Sequence, residues 1–430
     1  MQNDFLRNRI SRYFTKQNEI IFHNQIPSKK LLAEKLSEME ELGIYLHIPF
    51  CNRICPYCPY NKEIFTKELS RNYFHAVLYE IDTYASLLGH KPVTSFYIGG
   101  GTPTTMLGLG IEQIIDYIYK RFNMDCGVHM ESHPNHLTPE NLDTIESMGV
   151  KYLSIGVESL QDRHLKILER PYNAKEVKKT IERAVDKNFE CVNIDYIFDL
   201  PGQTGFEIEQ AGREMVELGI QQAATYPLFR FPYTRFSKKY NNRNSMGTMF
   251  RRRRFLKILE SIFYDSGYER SSVWAFTKKG VDKYCSVTVP SYLGLGASGS
   301  TYLNDIFYVN TFSVKAYISS INEGKLPISL STDLSEEMQM AGWLYWRIYE
   351  TRFKKSDFQK RFDTSFNAKY GRQMDLLKYL GYLNNGSDQI SLTDKGAYWI
   401  HAFEDYFSIN YINKLWGKSR VDPWPDEVIL

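Results

Sequence analysis

The chain is poor in cysteine, in net charge and in long apolar runs. Only six of its 430 residues are cysteines. That density excludes a disulfide framework for a chain this long, so a packed core must supply stability. Lys and Arg number 53 against 50 Asp and Glu, a formal net charge of +3. So small an imbalance gives no global case for nucleic-acid binding. No stretch approaches the roughly 18 apolar residues of a membrane span. The opening residues, MQNDFLRNRISRYF, lack the apolar centre of a signal peptide, so export is not expected. A reducing cytoplasm is, and a monomer is expected. There is no internal repeat and no proline-rich or low-complexity linker. What is abundant is aromatic: 31 Tyr and 26 Phe contribute to an aromatic share of 15%. Such a composition permits a roomy, flat-walled pocket, although aromatic side chains more often simply fill cores.

Three of the six cysteines are clustered. Cys51, Cys55 and Cys58 follow the spacing C-x3-C-x2-C in YLHIPFCNRICPYC, with Tyr57 before the last. Three thiolates suit three irons of a [4Fe-4S] cluster, leaving the fourth iron open to a small molecule. A zinc site lacking its fourth ligand, or incidental buried thiols, are the alternatives. Cys126, Cys191 and Cys285 are isolated; Cys285 reads as a packed thiol, or less simply as a substrate-facing radical quencher.

From Gly43 onward short apolar runs alternate with amphipathic stretches. Strands are expected at Ile44–Ile48, Ser95–Ile98, His129–Ser132, Tyr152–Gly156, Cys191–Phe198 and Ala224–Leu228. Helices are expected at Arg71–Leu88, Ile111–Phe122, Glu140–Met148 and Ala174–Lys187. Repeated βα units imply an α/β fold, a partial (β/α)6 barrel whose chemistry sits at the carboxyl ends of its strands. The cysteine run follows the first of these. Four regions are expected: an N-terminal helical extension (1–42) with a helix over 31–42, the barrel (43–235), a barrel-completing and substrate-covering region (236–330), and a C-terminal, mainly helical, winged-helix-like domain with a tail (331–430). The tail, GKSRVDPWPDEVIL, is expected to fold back over the barrel mouth.

Four further segments carry candidate chemistry. Gly99-Gly100-Gly101-Thr102 ends the second strand, where glycines let a ligand approach and expose N–H groups. Glu131 lies at the end of the third strand and Glu158 at the end of the fourth. Asp195 sits inside an apolar strand, where a lone charge is costly, and should be partnered by Arg170, a ligand hydroxyl or both. For each the plain reading is a tight turn or an ion pair.

The succession YxHIPFCxxxCxYC, GGGTPT, a Glu-bearing strand, SxGVxS and DLPGQT closely resembles the oxygen-independent coproporphyrinogen III oxidase-like family of radical S-adenosylmethionine enzymes. The resemblance covers residues 43–235 by specific motifs and continues more loosely to the C-terminus. It implies a [4Fe-4S] cluster on the three cysteines, two bound S-adenosylmethionine molecules and a flavodoxin or ferredoxin as electron donor. By position, Tyr45, Gly100 and Glu131 would hold the first molecule. Tyr57, Gly101, Thr102, Glu158, Arg170 and Asp195 would line the second, with Phe229 near it and Gly99 in the same turn. Tyr57, Glu158, Arg170 and Asp195 are also the expected catalytic group. The implied reaction is one-electron cleavage of S-adenosylmethionine to a 5′-deoxyadenosyl radical, acting on a large aromatic or tetrapyrrole-like substrate. Methyl transfer to an sp2 carbon is the leading expectation. Oxidative decarboxylation or ring opening of a tetrapyrrole, and haem chaperoning with little turnover, are the alternatives.

Three departures bear on that choice. Glu158 stands where the family usually has glutamine. Coproporphyrinogen oxidases typically carry a fourth cysteine two residues after the third, and here it is Tyr60. The haem chaperones typically carry His-Asn followed by Tyr-Trp, where this chain has Tyr308-Val309-Asn310 and Tyr317-Ile318. Outside the motifs, His47 is expected to brace the cysteine loop. His133 and His136 could donate protons or bind a metal. Arg251–Arg254 reads as a solvated basic face, and Trp274, Tyr284, Trp343, Trp346 and Trp399 as core.

Overall fold

A computed structural model describes residues 20–239, 246–284 and 289–430. At its centre six strands alternate with helices: β1 (Leu42–Ile48), α1 (Lys67–Leu88), β2 (Pro92–Gly100), α2 (Ile111–Arg121), β3 (Val128–Ser132), α3 (Pro139–Ser147), β4 (Val150–Glu158), α4 (Ala174–Val185), β5 (Cys191–Phe198), α5 (Gly205–Glu217), β6 (Gln222–Pro227) and α6 (Met246–Asp265). All five strand pairs, taken in order, are parallel. This is the expected partial (β/α)6 barrel. Strands covered on both faces read as continuous apolar runs, and β1 and β5 are buried along almost their whole length. Capping boxes start two of the covering helices, Asn173 with Glu176 for α4 and Thr204 with Glu207 for α5.

The sheet runs on past both ends of the barrel and, with Asn123–Met124 paired beside β2, reaches 15 strands among the described residues. Beyond β6 lie Ala275–Lys278 and Tyr268–Arg270, both antiparallel. Beyond β1 lies Tyr292–Leu295, parallel to it. Then come Ser300–Leu303, Ile306–Asn310, Ile328–Asp333, Ile21–His23 and Glu427–Ile429, each antiparallel to its neighbour. The Gly/Ser-rich run 292–303 is therefore a hairpin. Gly294 and Gly299 are required there because a Cβ on either would meet backbone atoms under 3.0 Å away.

The expected helical extension is corrected where it is described. Ile21–His23 is a strand held between two others, and the helix spans Lys29–Ser37, started by the Ser28 side chain. Leu42 belongs to β1, whose ladder outcompetes one more helical turn. Residues 1–19 and Cys285 lie outside the described residues.

The C-terminal module follows the order of a winged helix: Glu336–Tyr349, strand Arg352–Lys354, helices Lys355–Phe362 and Phe366–Tyr379, then strands Leu383–Asn385 and Gln389–Leu392. Trp343, Phe353, Phe358 and Phe366 form its core. Trp346, expected in the core, is 37% exposed. No helix among the described residues is long and apolar enough to cross a membrane.

Candidate active site

The cysteine loop leaves the carboxyl end of β1 and is tied down on every side. His47 is the inner anchor. Its Nε2 lies 3.0 Å from the carbonyl of Asn61, which can only accept, so that nitrogen carries the proton. Nδ1 then accepts from the Tyr45 hydroxyl at 2.9 Å. Burial lowers the imidazole to about 4, keeping it neutral in this role. Asn61 in turn donates to the carbonyl of Phe312. Outside, Asn52 is 2.9 Å from Nε2 of His136, whose Nδ1 meets Thr104 at 2.9 Å. Both His136 nitrogens are thus spent on bracing the loop, and His133 accepts from the N–H of Asn135. The C-terminal tail completes the fastening, for Arg420 donates to the carbonyls of Pro59 and Tyr60 at 2.8 and 3.2 Å. Trp416 lies 6.0 Å from the Tyr60 ring.

The three cysteines face one cavity of about 2230 Å³. Burial pushes the Cys51 thiol up to about 12 and raises Cys58 also. Cys51 sulfur is 3.5 Å from the Thr102 hydroxyl. Arg170 donates to Cys55 sulfur at 3.1 Å and to the carbonyl of Gly156 at 2.5 Å, while Tyr172 orients its Nε at 2.6 Å.

Three carboxyl groups line the same cavity, on β3, β4 and β5. Glu131 accepts from the Tyr97 hydroxyl at 2.6 Å and the Gly100 N–H at 3.0 Å. Glu158 ends β4 with a positive φ of 68° beside Tyr57 and Arg170. Asp195 accepts from Asn193 at 3.2 Å and Ser154 at 3.4 Å. Burial raises all three; Glu158 lifts both Glu131 and Asp195 further. The expected Asp195–Arg170 pairing is not formed: Arg170 is turned to the cysteine loop, and neighbours on β4 and β5 partner the aspartate.

The glycine turn is closely packed against the cysteine loop. The N–H of Gly100 serves Glu131 and that of Gly101 serves the Ile48 carbonyl. A Cβ at Gly100, where φ is +117°, would lie 2.5 Å from His47; at Gly99 it would meet Tyr97 and Glu131, and at Gly101 the Pro49–Phe50 backbone. The absence of a Cβ at these glycines admits the cysteine loop and its anchors. Gly100, Gly101 and Thr102 line the cavity; Gly99 does not.

The basic run on α6 is a solvated face only in part, with Arg251 and Arg254 exposed and Arg252 buried. Arg251 and Arg252 each reach the carboxylate of Asp199 at 2.7 Å, and Arg253 pairs with Glu260 at 2.7 Å. Asp199 belongs to the DLPGQT turn after β5, so α6 clamps the loop that follows the Asp195 strand. Phe229 lines the cavity and packs edge-on against Trp274. Tyr97, Asn193 and Ser154 were missed as site residues. Strand alternation could have found Asn193, two residues before Asp195 on the same face.

The donor set fits an iron–sulfur cluster and a cationic cosubstrate. Among the described residues no three His, Cys, Asp or Glu converge as ligands of a single ion. A four-iron cluster distributes its thiolates over separate irons. Three partly buried carboxyl groups, two of them raised further by Glu158, can accept a sulfonium and an ammonium. A parallel partial barrel with a three-cysteine loop and a carboxyl layer at one end is the arrangement that the resemblance to radical S-adenosylmethionine enzymes implies.

Comparison with known proteins agrees. Residues 45–215 match the Radical SAM superfamily. The chain is 26% identical to heme chaperone HemW of Bacillus subtilis (strain 168) over 360 residues, 82% of this chain and 95% of that protein. It is 28% identical to HemW of Lactococcus lactis subsp. lactis, covering 82% and 93%. The structure of coproporphyrinogen III oxidase (HemN) from Escherichia coli superposes with a TM-score of 0.75 at 20% identity, covering 89% of this chain and 93% of that one. Residues 45–215 thus match a radical S-adenosylmethionine domain, and the chain is similar in sequence to the HemW proteins and in fold to HemN.

Proposed function

We propose that this protein binds a haem or porphyrin beside a cluster-bound S-adenosylmethionine and hands the tetrapyrrole on, as the names of its HemW relatives describe for them. One observation carries this: the C-terminal wall of the cavity is basic with no acidic lining residue among those described, whereas the barrel end mixes three carboxyl groups with Arg53, Lys62 and Arg170. The cavity's only acidic lining residues among those described are Glu131, Glu158 and Asp195, all at the barrel end. On the C-terminal module the wall is basic, with Arg361, Lys369 and Arg372 set among Trp343, Trp346 and Tyr349. A flat aromatic ligand bearing carboxylate substituents matches that wall, and a cation matches the carboxyl groups at the barrel end. The volume is about twice the ~1,000 Å³ upper range of ordinary small-molecule sites, enough for two ligands.

Cys51, Cys55 and Cys58 would hold the cluster, and Tyr45, Gly100 and Glu131 the S-adenosylmethionine on it. Tyr57, Gly101, Thr102, Glu158, Arg170 and Asp195 would line a second molecule. Bound together, cluster and S-adenosylmethionine supply one-electron cleavage of a carbon–sulfur bond. The chain's part is to hold the cosubstrate against Glu131, keep Arg170 beside the Cys55 sulfur and close the loop from solvent through His47 and Arg420. The tetrapyrrole is not held where the chaperones carry His-Asn. Tyr308 and Asn310 are fully buried, bonded to Tyr84 and Glu80.

A second reading, oxidation or ring opening of the tetrapyrrole, is favoured by the complete carboxyl layer. Methyl transfer draws no support from the relatives named above. The test is anaerobic: reconstitute, titrate haem and coproporphyrin by absorbance, then reduce and quantify 5′-deoxyadenosine and S-adenosylhomocysteine, with Cys55→Ala as control. Stoichiometric haem binding, kept in Cys55→Ala and weakened in Arg361→Gln/Arg372→Gln, is expected. Tetrapyrrole-dependent deoxyadenosine with an altered tetrapyrrole would move the reading to modification. Failure to bind either tetrapyrrole would overturn both.

A further inference from the structure

The chain is almost neutral overall, yet charge is concentrated around the cysteine loop. Segments 52–62, 230–239 and 414–420 carry two, four and three basic residues and no acidic one. They are remote in sequence, and the fold gathers them. Arg235 donates to the carbonyl of Ile54 at 3.0 Å, next to Cys55. The N–H of Phe236 donates to Pro56 at 2.9 Å, and the Tyr233 hydroxyl to Pro59 at 3.2 Å. Arg420 reaches Pro59 and Tyr60 and lies 4.9 Å over the Tyr233 ring.

The outer surface of this assembly is open to solvent. The Arg53 and Arg235 side chains are 56% and 63% exposed, and both share one carboxylate, Glu169, at 3.7 and 3.4 Å. Two guanidiniums on a single half-exposed carboxylate leave net positive charge beside the cysteine loop. Lys166 and Lys238, both exposed, extend it along the short helices Asp162–Ile167 and Arg235–Lys239. Arg53 lies two residues from Cys55 and Arg235 bonds the residue before it, so this rim brings solvent-exposed positive charge close to the cysteines.

We propose that this rim, centred on Arg53 and Arg235, is the docking surface for a small acidic one-electron carrier protein. The inference rests on the reading that the cysteines hold a cluster. One electron passes inward: the carrier is oxidised, the cluster is reduced by one electron, and no atom is transferred. Complementary charge raises the encounter rate and sets the approach, and the effect weakens with salt.

The test uses the anaerobically reconstituted holoprotein and an acidic flavodoxin as probe. Calorimetry gives the Kd of the oxidised flavodoxin, and stopped-flow absorbance gives the rate of cluster reduction by its hydroquinone. Photoreduced deazaflavin, an uncharged small reductant, is the reference. Arg53→Glu/Arg235→Glu is expected to weaken binding and slow flavodoxin-dependent reduction by about tenfold or more. Deazaflavin reduction should stay unchanged, and the wild-type flavodoxin rate should fall steeply between about 0.05 and about 0.5 M salt. Lys166→Glu/Lys238→Glu, which alters neither loop contact, should act in the same direction if the first pair disturbs the loop. Flavodoxin rates insensitive to both pairs and to salt would overturn the docking surface while leaving the cluster in place. A protein that assembles no cluster overturns the underlying reading instead, and its missing visible absorbance separates that failure from the first.

Discussion

Glu80 offers a sharp check on how the parts are joined. It projects from α1 and is fully buried. Its carboxyl accepts from the Gly296 N–H at 2.7 Å, Asn310 at 2.8 Å and Tyr317 at 2.6 Å, tying the barrel helix to the added strands. Burial outweighs these bonds and lifts the carboxyl from 4.5 to about 7. The folded state therefore holds its proton more tightly than the unfolded chain. The resulting stability is fully present below the unfolded value and is lost as pH climbs through about 7. Proton linkage between these two values gives a loss of about 2.5 kcal/mol from pH 5 to pH 8. With a melting entropy of ~2.1 cal/mol/K per residue, a chain of this length changes its Tm by about 3 °C. Glu80→Gln cannot titrate, and its changed hydrogen bonds add only a pH-independent offset. Every other carboxyl cancels between the two proteins. Scanning calorimetry of both from pH 5 to pH 8 should show the wild type's Tm falling by about 3 °C relative to the variant. A constant difference across that range would refute the assignment.

Asp199→Ala strands the nearly buried Arg252 without its carboxylate and should cost ~3–5 kcal/mol by urea unfolding. Asp199→Asn should cost less, because asparagine tolerates the φ of +63° and keeps one acceptor. Gly100→Ala must place a Cβ 2.5 Å from His47 at a φ of +117°, a strain of about 1–3 kcal/mol before the clash is counted. It should lower the iron retained per chain after reconstitution. Tyr97→Phe removes a 2.6 Å bond to Glu131 and so raises a carboxyl that burial has already raised. Equilibrium dialysis at neutral pH should show S-adenosylmethionine bound about tenfold more weakly, within the ~1.5–3 kcal/mol range of a hydrogen bond to a charged group. Unchanged affinity would remove Glu131 from that role.

Much was legible from local order. The cysteine spacing, the alternation of apolar strands with amphipathic helices and the carboxyl groups at strand ends are short-range patterns. Parallel strands buried on both faces leave little freedom in how such a pattern folds. The span Cys191–Phe198 matches its expected bounds, and Val150–Glu158 extends its own by two residues at each end. Partnerships were not legible. Arg252 finds Asp199 across 53 positions, and Arg420 finds Pro59 across 361. Arg170 takes the Cys55 sulfur instead of Asp195, and the glycines of the turn make room for His47 and Glu131. Composition and spacing alone determined that this chain builds a partial barrel with a thiolate loop at its mouth. Which charges pair, which face of the loop meets solvent and which wall of the cavity is basic were decided by tertiary structure. Those properties depend on side chains that approach only after distant segments close on one another, and one-dimensional order does not encode that distance.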